Sequence, residues 1–353
     1  MSEIEGTTGV RDEDQFDLEA VRTWLSGQGT ELSADTEVKQ FGGGASNLTY
    51  SLSDETHDLI LRRPPSGQKA KGAHDMGREY RIQSALEAPF GLVPTMVAFC
   101  EDTDVIGSEF YVMERIDGLI PRAELPEEVE LDEAGTRNLC TNALDTLIRL
   151  HQVDVSTPEL SALGKGEGYV ARQIGGWSTR YRNARTDDAP EFESVMSWLD
   201  EHQPDDVANC LIHNDFRFDN VVLSKDDPTE VIGVLDWEMA TLGDPLMDLG
   251  GTLAYWVQAD DDETFQSHRR QPTHLPGMLT REEVVAYYCD QMGLAVTPEQ
   301  WRFYEVYGLF RFAVIAQQIY YRYFHGQTTN ELFERFGPAV HYYEQRCLQV
   351  IGD

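Results

Sequence analysis

Lysine is nearly absent from this sequence. Only five of its 28 basic residues are lysine (Lys39, Lys69, Lys71, Lys165, Lys225), and 62 Asp and Glu residues bring the formal net charge to −34. A balance this acidic excludes the broad basic face that nucleic-acid binding requires. It suits a protein kept hydrated in a high-salt cytoplasm, where screening cancels self-repulsion, so the chain reads as halophilic. Cysteine is sparse and scattered (Cys100, Cys140, Cys210, Cys289, Cys347), with no C-x-x-C pair. That excludes a disulfide frame and a thiolate metal site, and leaves buried thiols in a reducing compartment. No uninterrupted apolar run is long enough to span a bilayer, and the N-terminus has no signal-peptide h-region. A soluble, cytoplasmic protein without membrane partners is expected. Internal repeats and low-complexity segments are also missing.

What is present, at 353 residues and 41% hydrophobic content, suits two domains or one bilobal unit with a full core. The most informative stretch is Leu211-Ile-His213-Asn-Asp215-Phe-Arg217-Phe-Asp-Asn220-Val-Val-Leu223. It has the His-x-Asp-x-x-x-x-Asn spacing of a kinase catalytic loop, set between two short apolar runs that read as strands. A further apolar run, Val231-Ile-Gly-Val-Leu235, ends on Asp236, where the kinase pattern places a metal-binding carboxylate. Phosphoryl transfer asks a protein for positioning and for neutralisation of phosphate charge. Asp215 is placed to take or orient the proton of an attacking hydroxyl, and Arg217 to reach the transferring phosphate. Asn220 and Asp236 are oxygen donors suited to Mg²⁺. His213 reads as a holder of the loop, Asp248 as a buried brace beneath it, and Asp219 has no assignable role.

Ahead of this stretch the pattern is that of a small antiparallel sheet. Residues 1–15 are polar and acidic and read as a disordered tail. Phe16–Leu25 has helical spacing, and five strands follow, near 38–41, 48–52, 59–63, 93–100 and 110–114, with one helix over 76–86. Gly42, Gly43, Gly44, Ser46 and Asn47 form a glycine-rich turn whose backbone N–H groups can approach a phosphate, although three glycines alone also suit a plain hairpin. Arg62 stands on the third strand where a kinase keeps its phosphate-holding cation, with Arg63 as the fallback. Glu79 is placed to pair with that cation. Met113 and Glu114 fall where the chain leaves the small lobe, where backbone groups receive an adenine ring. Residues 16–115 thus read as a nucleotide-binding lobe.

Residues 116–353 read as a larger, mainly helical lobe. Asp244-Pro245 marks a helix start, Thr280-x-x-Glu283 a capping box, and Thr297-Pro298-Glu-Gln300 the opening of a long central helix. Arg311, Gln317 and Arg322 interrupt its apolar faces. The fold class is therefore α+β, with a five-stranded antiparallel N-lobe and a helical C-lobe.

Together these residues resemble the aminoglycoside phosphotransferase and choline kinase superfamily, whose fold is protein-kinase-like. Phe41-Gly-Gly-Gly-Ala-Ser-Asn47, Leu61-Arg-Arg-Pro-Pro65, Arg78-Glu-Tyr80, Phe110-Tyr-Val-Met-Glu114, Asp236-Trp-Glu238 and Tyr304-Glu-Val-x-x-Leu-Phe-Arg311 look most like the kinase-like domain associated with acyl-CoA dehydrogenases. The resemblance implies ATP and Mg²⁺, with a hydroxyl on a small molecule or an acyl thioester as acceptor. Two other readings remain. A catalytically silent nucleotide-binding protein draws support from arginine at position 62. A protein kinase is disfavoured because Gly243-Asp-Pro follows Asp236 almost at once and leaves no room for an activation loop.

Overall fold

Alternation along Asp58–Arg63 sorts the smaller of two units into its two faces. The computed structural model describes residues 6–42, 47–65, 75–328 and 330–352. It divides into Met1–Asp117 with Ile232–Glu238, and Gly118–Val231 with Met239–Asp353. The first unit holds β1 (Thr7–Thr8), α1 (Leu18–Gly27), β2 (Glu37–Phe41), β3 (Leu48–Ser53), β4 (Asp58–Arg63), α2 (Met76–Leu86), β5 (Met96–Cys100) and β6 (Phe110–Glu114). Its strands form one antiparallel sheet in the order β1-β2-β3-β4-β6-β5.

Because strand side chains alternate faces, Leu59 and Leu61 join Tyr50, Leu52, Phe110 and Val112 in a core shared with Val21 and Leu25 of α1. Ile60, Tyr111 and Met113 point the other way, against Met76 and Tyr80 of α2. Arg62 shares the α2 face and Arg63 the α1 face.

The sheet has six strands, not the expected five. The extra strand comes from the segment whose composition suggested a tail. Thr7 and Thr8 pair with Phe41 and Gln40. Asp14 is buried, accepting a 2.8 Å hydrogen bond from Gln40 Nε2 and a 2.7 Å one from Arg11. Its carbonyl accepts from Tyr50 Oη and Arg63 Nη2. Polar composition predicts disorder only where no partner is waiting, and here β2, β3 and β4 supply one for each group.

The second unit is mainly helical: α3 (Glu133–His151), α4 (Pro158–Ser161), α5 (Tyr169–Ala184), α6 (Glu193–Glu201), then β7 (Cys210–Ile212) and β8 (Val221–Leu223). β9 (Val231–Val234) starts here and runs into the first unit. β10 (Thr241–Gly243) pairs antiparallel with β7 and leads into α7 (Pro245–Leu253), α8 (Glu263–Ser267), α9 (Arg281–Met292), α10 (Pro298–Phe324) and α11 (Phe336–Gly352). The expected caps are in place. Asp244 accepts from the N–H groups of Leu246 and Met247, and α9 and α10 both open on complete capping boxes. Among the described residues no helix is long and apolar enough to cross a membrane.

α10 crosses α7 where both carry glycine. A Cβ on Gly308 would lie 2.1 Å from the Gly250 carbonyl oxygen, and one on Gly250 would lie 2.5 Å from that of Tyr304. Backbone on both sides leaves nothing flexible to yield. Gly308→Ala is therefore expected to cost about 1–3 kcal/mol or more through overpacking. Gly175→Ala on α5, where a Cβ meets nothing within 4 Å, should instead stabilise by about 0.5–1 kcal/mol through helix propensity. Thermal melting of both variants checks this. A Gly308→Ala protein that melts with the parent would show that the two helices can separate at no cost.

Candidate active site

The first unit gathers Arg62, Glu79, Asp236 and Glu238 into one charged cluster. Arg62 is held on β4 with Nη1 3.5 Å from Glu79 Oε2 and Nη2 3.4 Å from Asp236 Oδ1. Its Nη1 also donates to Tyr111 Oη at 3.3 Å, and Tyr111 donates in turn to Glu79 Oε2 at 2.6 Å. Burial opposes the Arg62 charge more than any other single influence. Tyr111, Glu79, Asp236 and Glu238 together outweigh it and raise its pKa. Glu79 is 2% exposed. Burial raises its pKa, and Arg62 and the Tyr111 hydroxyl offset that only in part. Asn47 Nδ2 reaches Glu79 Oε1 at 3.4 Å and Glu238 Oε2 at 3.5 Å. Oxygens of Glu79, Asp236 and Glu238 all lie within 4.8 Å of one another. Three hard oxygen donors at that spacing fit a divalent cation such as Mg²⁺.

Asp236 adopts φ +66°, in the left-handed region that Asp tolerates better than most residues. Local order fixes it there. Trp237 Nε1 donates to the Val234 carbonyl at 2.8 Å, and the buried indole packs edge-on against Phe90.

Arg63, the fallback cation, is turned away from this cluster. It donates to Tyr50 Oη and the Asp14 carbonyl and lies over the Phe16 and Tyr50 rings. Gly42 ends β2 with its N–H bonded to the Gly6 carbonyl. Gly43, Gly44 and Ser46 lie outside the described residues. Met113 pairs with Ile60 and Met96 inside the sheet. The Glu114 N–H donates to the Thr95 carbonyl at 2.8 Å and the Arg115 N–H to that of Asp58 at 2.9 Å. Both N–H groups are thus engaged by protein.

In the second unit the loop after β7 carries Asp215, Arg217 and Asn220. Asn220 Nδ2 donates to the Asp215 carbonyl at 2.8 Å and to Asp215 Oδ2 at 3.1 Å. Arg217 Nη2 donates to the same Oδ2 at 3.2 Å, so the guanidinium is seated on Asp215. The Arg217 plane stacks over Tyr255, its Cζ 4.7 Å from the ring centroid. Asp219 lies 3.4 Å from Arg217 Nε on the other side. Burial, more than the neighbouring Asp215, raises the pKa of Asp219, against the pull of Arg217.

The loop is braced from below. Asp248 Oδ2 accepts from the His213 N–H at 2.8 Å and Oδ1 from the Asn214 N–H at 2.7 Å. Its Oδ2 also meets His151 Nε2 at 3.0 Å. These bonds hold Asn214 at φ +65°. His213 Nδ1 accepts from the Asp215 N–H at 3.2 Å, as a loop holder should. Arg311 of α10, 4% exposed, donates to the Asn214 carbonyl and lies over Trp177.

Residues 37–284 match the model of the phosphotransferase enzyme family. The chain belongs to that family. It is 34% identical to mouse acyl-CoA dehydrogenase family member 10 over 339 residues, covering 96% of this chain and 31% of that protein. Among solved structures it is similar to a protein of Ralstonia eutropha JMP134 provisionally described as an aminoglycoside phosphotransferase. That likeness has TM-score 0.80 and 28% identity, covering 95% of this chain and 98% of that one. A streptomycin–ATP ternary complex of a second aminoglycoside phosphotransferase shares the fold at TM-score 0.55 and 16% identity, with 86% and 90% covered. This chain spans less than half the length of the curated relatives it matches. The α+β, protein-kinase-like architecture expected from the resemblance is the fold these phosphotransferases share.

Several members of the site were not singled out from the sequence. Tyr111 reads as one more apolar strand residue, yet its hydroxyl joins Arg62 to Glu79. Tyr255 and Gln271 hold the loop from positions outside any motif: Gln271 Oε1 accepts from the Phe218 N–H at 2.8 Å, and Gln271 Nε2 donates to the Tyr255 carbonyl at 3.2 Å. Arg311 is one of three polar interruptions of α10; it is buried there and donates to the Asn214 carbonyl.

Proposed function

We propose that this phosphotransferase moves the γ-phosphate of ATP to a hydroxyl of a small molecule, with Mg²⁺ as its metal. The observation that carries the proposal is the seating of Asp215. Its carboxylate is oriented by Asn220 and Arg217 on a loop that Asp248 and Arg311 hold rigid, an arrangement suited to accepting a hydroxyl proton. Arg62, tied to Glu79, is the cation for the nucleotide phosphates, and Arg63 is spent elsewhere. Asp236 and Glu238, beside Glu79, are the first unit's oxygen donors for the metal, which would supply charge neutralisation on the phosphates when bound. Asn220 is proposed as a metal donor on its loop spacing alone. Arg217 stabilises the transferring phosphoryl group by exchanging its contact with Asp215 for the phosphate oxygens. Support for ATP comes from the family and from the nucleotide in the related ternary complex. A hydroxyacyl thioester is one acceptor class, given the relatives named for acyl-CoA dehydrogenases. Aminoglycoside-like and choline-like alcohols are the others.

The test is transfer of labelled γ-phosphate to a panel of hydroxyl acceptors by the parent and by Asp215→Ala and Asp236→Ala. Transfer that survives both changes would sink the proposal, as would nucleotide binding with no turnover across the panel.

The −34 charge supports a halophilic cytoplasm as the working environment, and the five buried, unpaired cysteines suit a reducing one. Raising KCl from about 0.1 M to about 1 M shortens the screening length from roughly 10 Å to roughly 3 Å. Self-repulsion among 62 carboxylates then falls, and the melting temperature should climb steadily. A melting temperature that is flat or falling over that range would count against the halophilic assignment.

A further inference from the structure

Around the Asp215 loop the charge balance of the chain reverses. Acidic residues outnumber basic ones 62 to 28 overall, yet two loops bring arginines to this spot. Gln271 fastens the segment beside it to the Phe218 N–H, within the loop. Arg269 donates to the Ala123 carbonyl and pairs with Glu124 at 2.5 Å, which fastens the segment beside Arg122 to the same place. Arg122 and Arg270 therefore stand at the rim of the loop.

The carboxylates nearby are already engaged, Asp215 and Asp219 by Arg217 and Glu124 by Arg269. Arg122 and Arg270 are exposed and, among the described residues, neither has a carboxylate within ion-pairing distance. Elsewhere on this surface exposed arginines do find acids, as in Arg137–Glu283 and Arg182–Glu193. The bonds of Gln271 to Phe218 and of Arg269 to Ala123 and Glu124 set both arginines next to segments tied to the Asp215 loop, and their charges are felt at Asp219 within it.

We infer that the acceptor is an anion, its hydroxyl presented to Asp215 and its carboxylate or phosphate group held by Arg122 and Arg270. This rests on the phosphotransferase reading given above. A guanidinium fork matches either oxyanion with two parallel hydrogen bonds. It also supplies what the chain otherwise lacks, a local positive field that lets a negative molecule approach a strongly negative protein.

Matched probes test this in molar KCl with saturating ATP and Mg²⁺: 3-hydroxybutyrate against 3-hydroxybutyramide, glycerol 3-phosphate against glycerol, and choline as the cation. The charged member of at least one pair should show kcat/KM about tenfold or more above its neutral partner. Arg122→Gln with Arg270→Gln should erase that preference through KM, with the KM for ATP and the melting temperature unchanged. Which anion is preferred separates carboxylate from phosphate. Binding of the same probes to enzyme saturated with a non-hydrolysable ATP analogue is read calorimetrically alongside. Transfer without a charge preference, preference for choline or a neutral probe, a preference that survives the double change, or no binding of either anion would overturn the inference. A charge preference in binding with no transfer to any probe would instead strike the phosphotransferase reading.

Discussion

Asp215→Asn is expected to lower kcat for phosphoryl transfer by about 10²–10⁴-fold, the usual contribution of a positioned general base, with little change in melting temperature. Asparagine is the informative replacement because one oxygen, Oδ2, accepts from both Asn220 Nδ2 and Arg217 Nη2. The amide oxygen can take that place and keep both donors satisfied. The loop then holds its shape while the charge and the proton-accepting capacity disappear. Single-turnover transfer measurements, paired with a thermal melt, separate the two. If kcat stays within about tenfold of the parent, below the range expected for a base, Asp215 is not the proton acceptor and the proposed role of the loop fails with it.

Asp248→Ala should do the opposite kind of damage. The Asp248 side chain is 1% exposed and accepts from two successive backbone N–H groups and from His151. Removing it strands three polar groups at once, of which the His213 N–H and His151 are buried. Each buried donor left without its acceptor typically costs about 1–3 kcal/mol, against a total stability of roughly 5–15 kcal/mol for most domains. The variant should therefore unfold at markedly lower denaturant, and Asn214 should lose the support for its left-handed backbone. The acid side of the stability curve should change as well. Burial pushes the Asp248 carboxyl up, but the His151 hydrogen bond and the nearby His213 outweigh it and leave the pKa lowered. A carboxyl lowered in the folded state contributes stability that is complete above its unfolded pKa of about 3.9 and is lost as pH falls through the folded value. Asp248→Asn should then flatten the acid limb below pH about 4. Equal acid sensitivity in parent and variant would show that Asp248 is not charged in the fold.

The catalytic-loop spacing, the alternation in β4 and the caps of α7, α9 and α10 are short-range signals, and each led to the right local structure. The segment ahead of α1 misled, because its composition looks solvated while its partners, Gln40, Tyr50 and Arg63, lie 26 to 49 residues away in the chain. Separation in sequence also hid Tyr111, Tyr255 and Gln271, whose hydroxyl, ring and amide carry no local pattern. The choice between Arg62 and Arg63 lay between these cases. Strand parity says the two face opposite ways, but only packing shows which face carries Glu79 and Asp236.

Local order, then, was written in the chain: periodicity, turn chemistry and motif spacing act over a few residues and need no knowledge of the rest. Which charge meets which was settled by folding, because a carboxylate's partner is whatever the tertiary packing brings within a few ångströms. That is why Arg122 and Arg270, unremarkable in the sequence, end next to segments tied to the Asp215 loop.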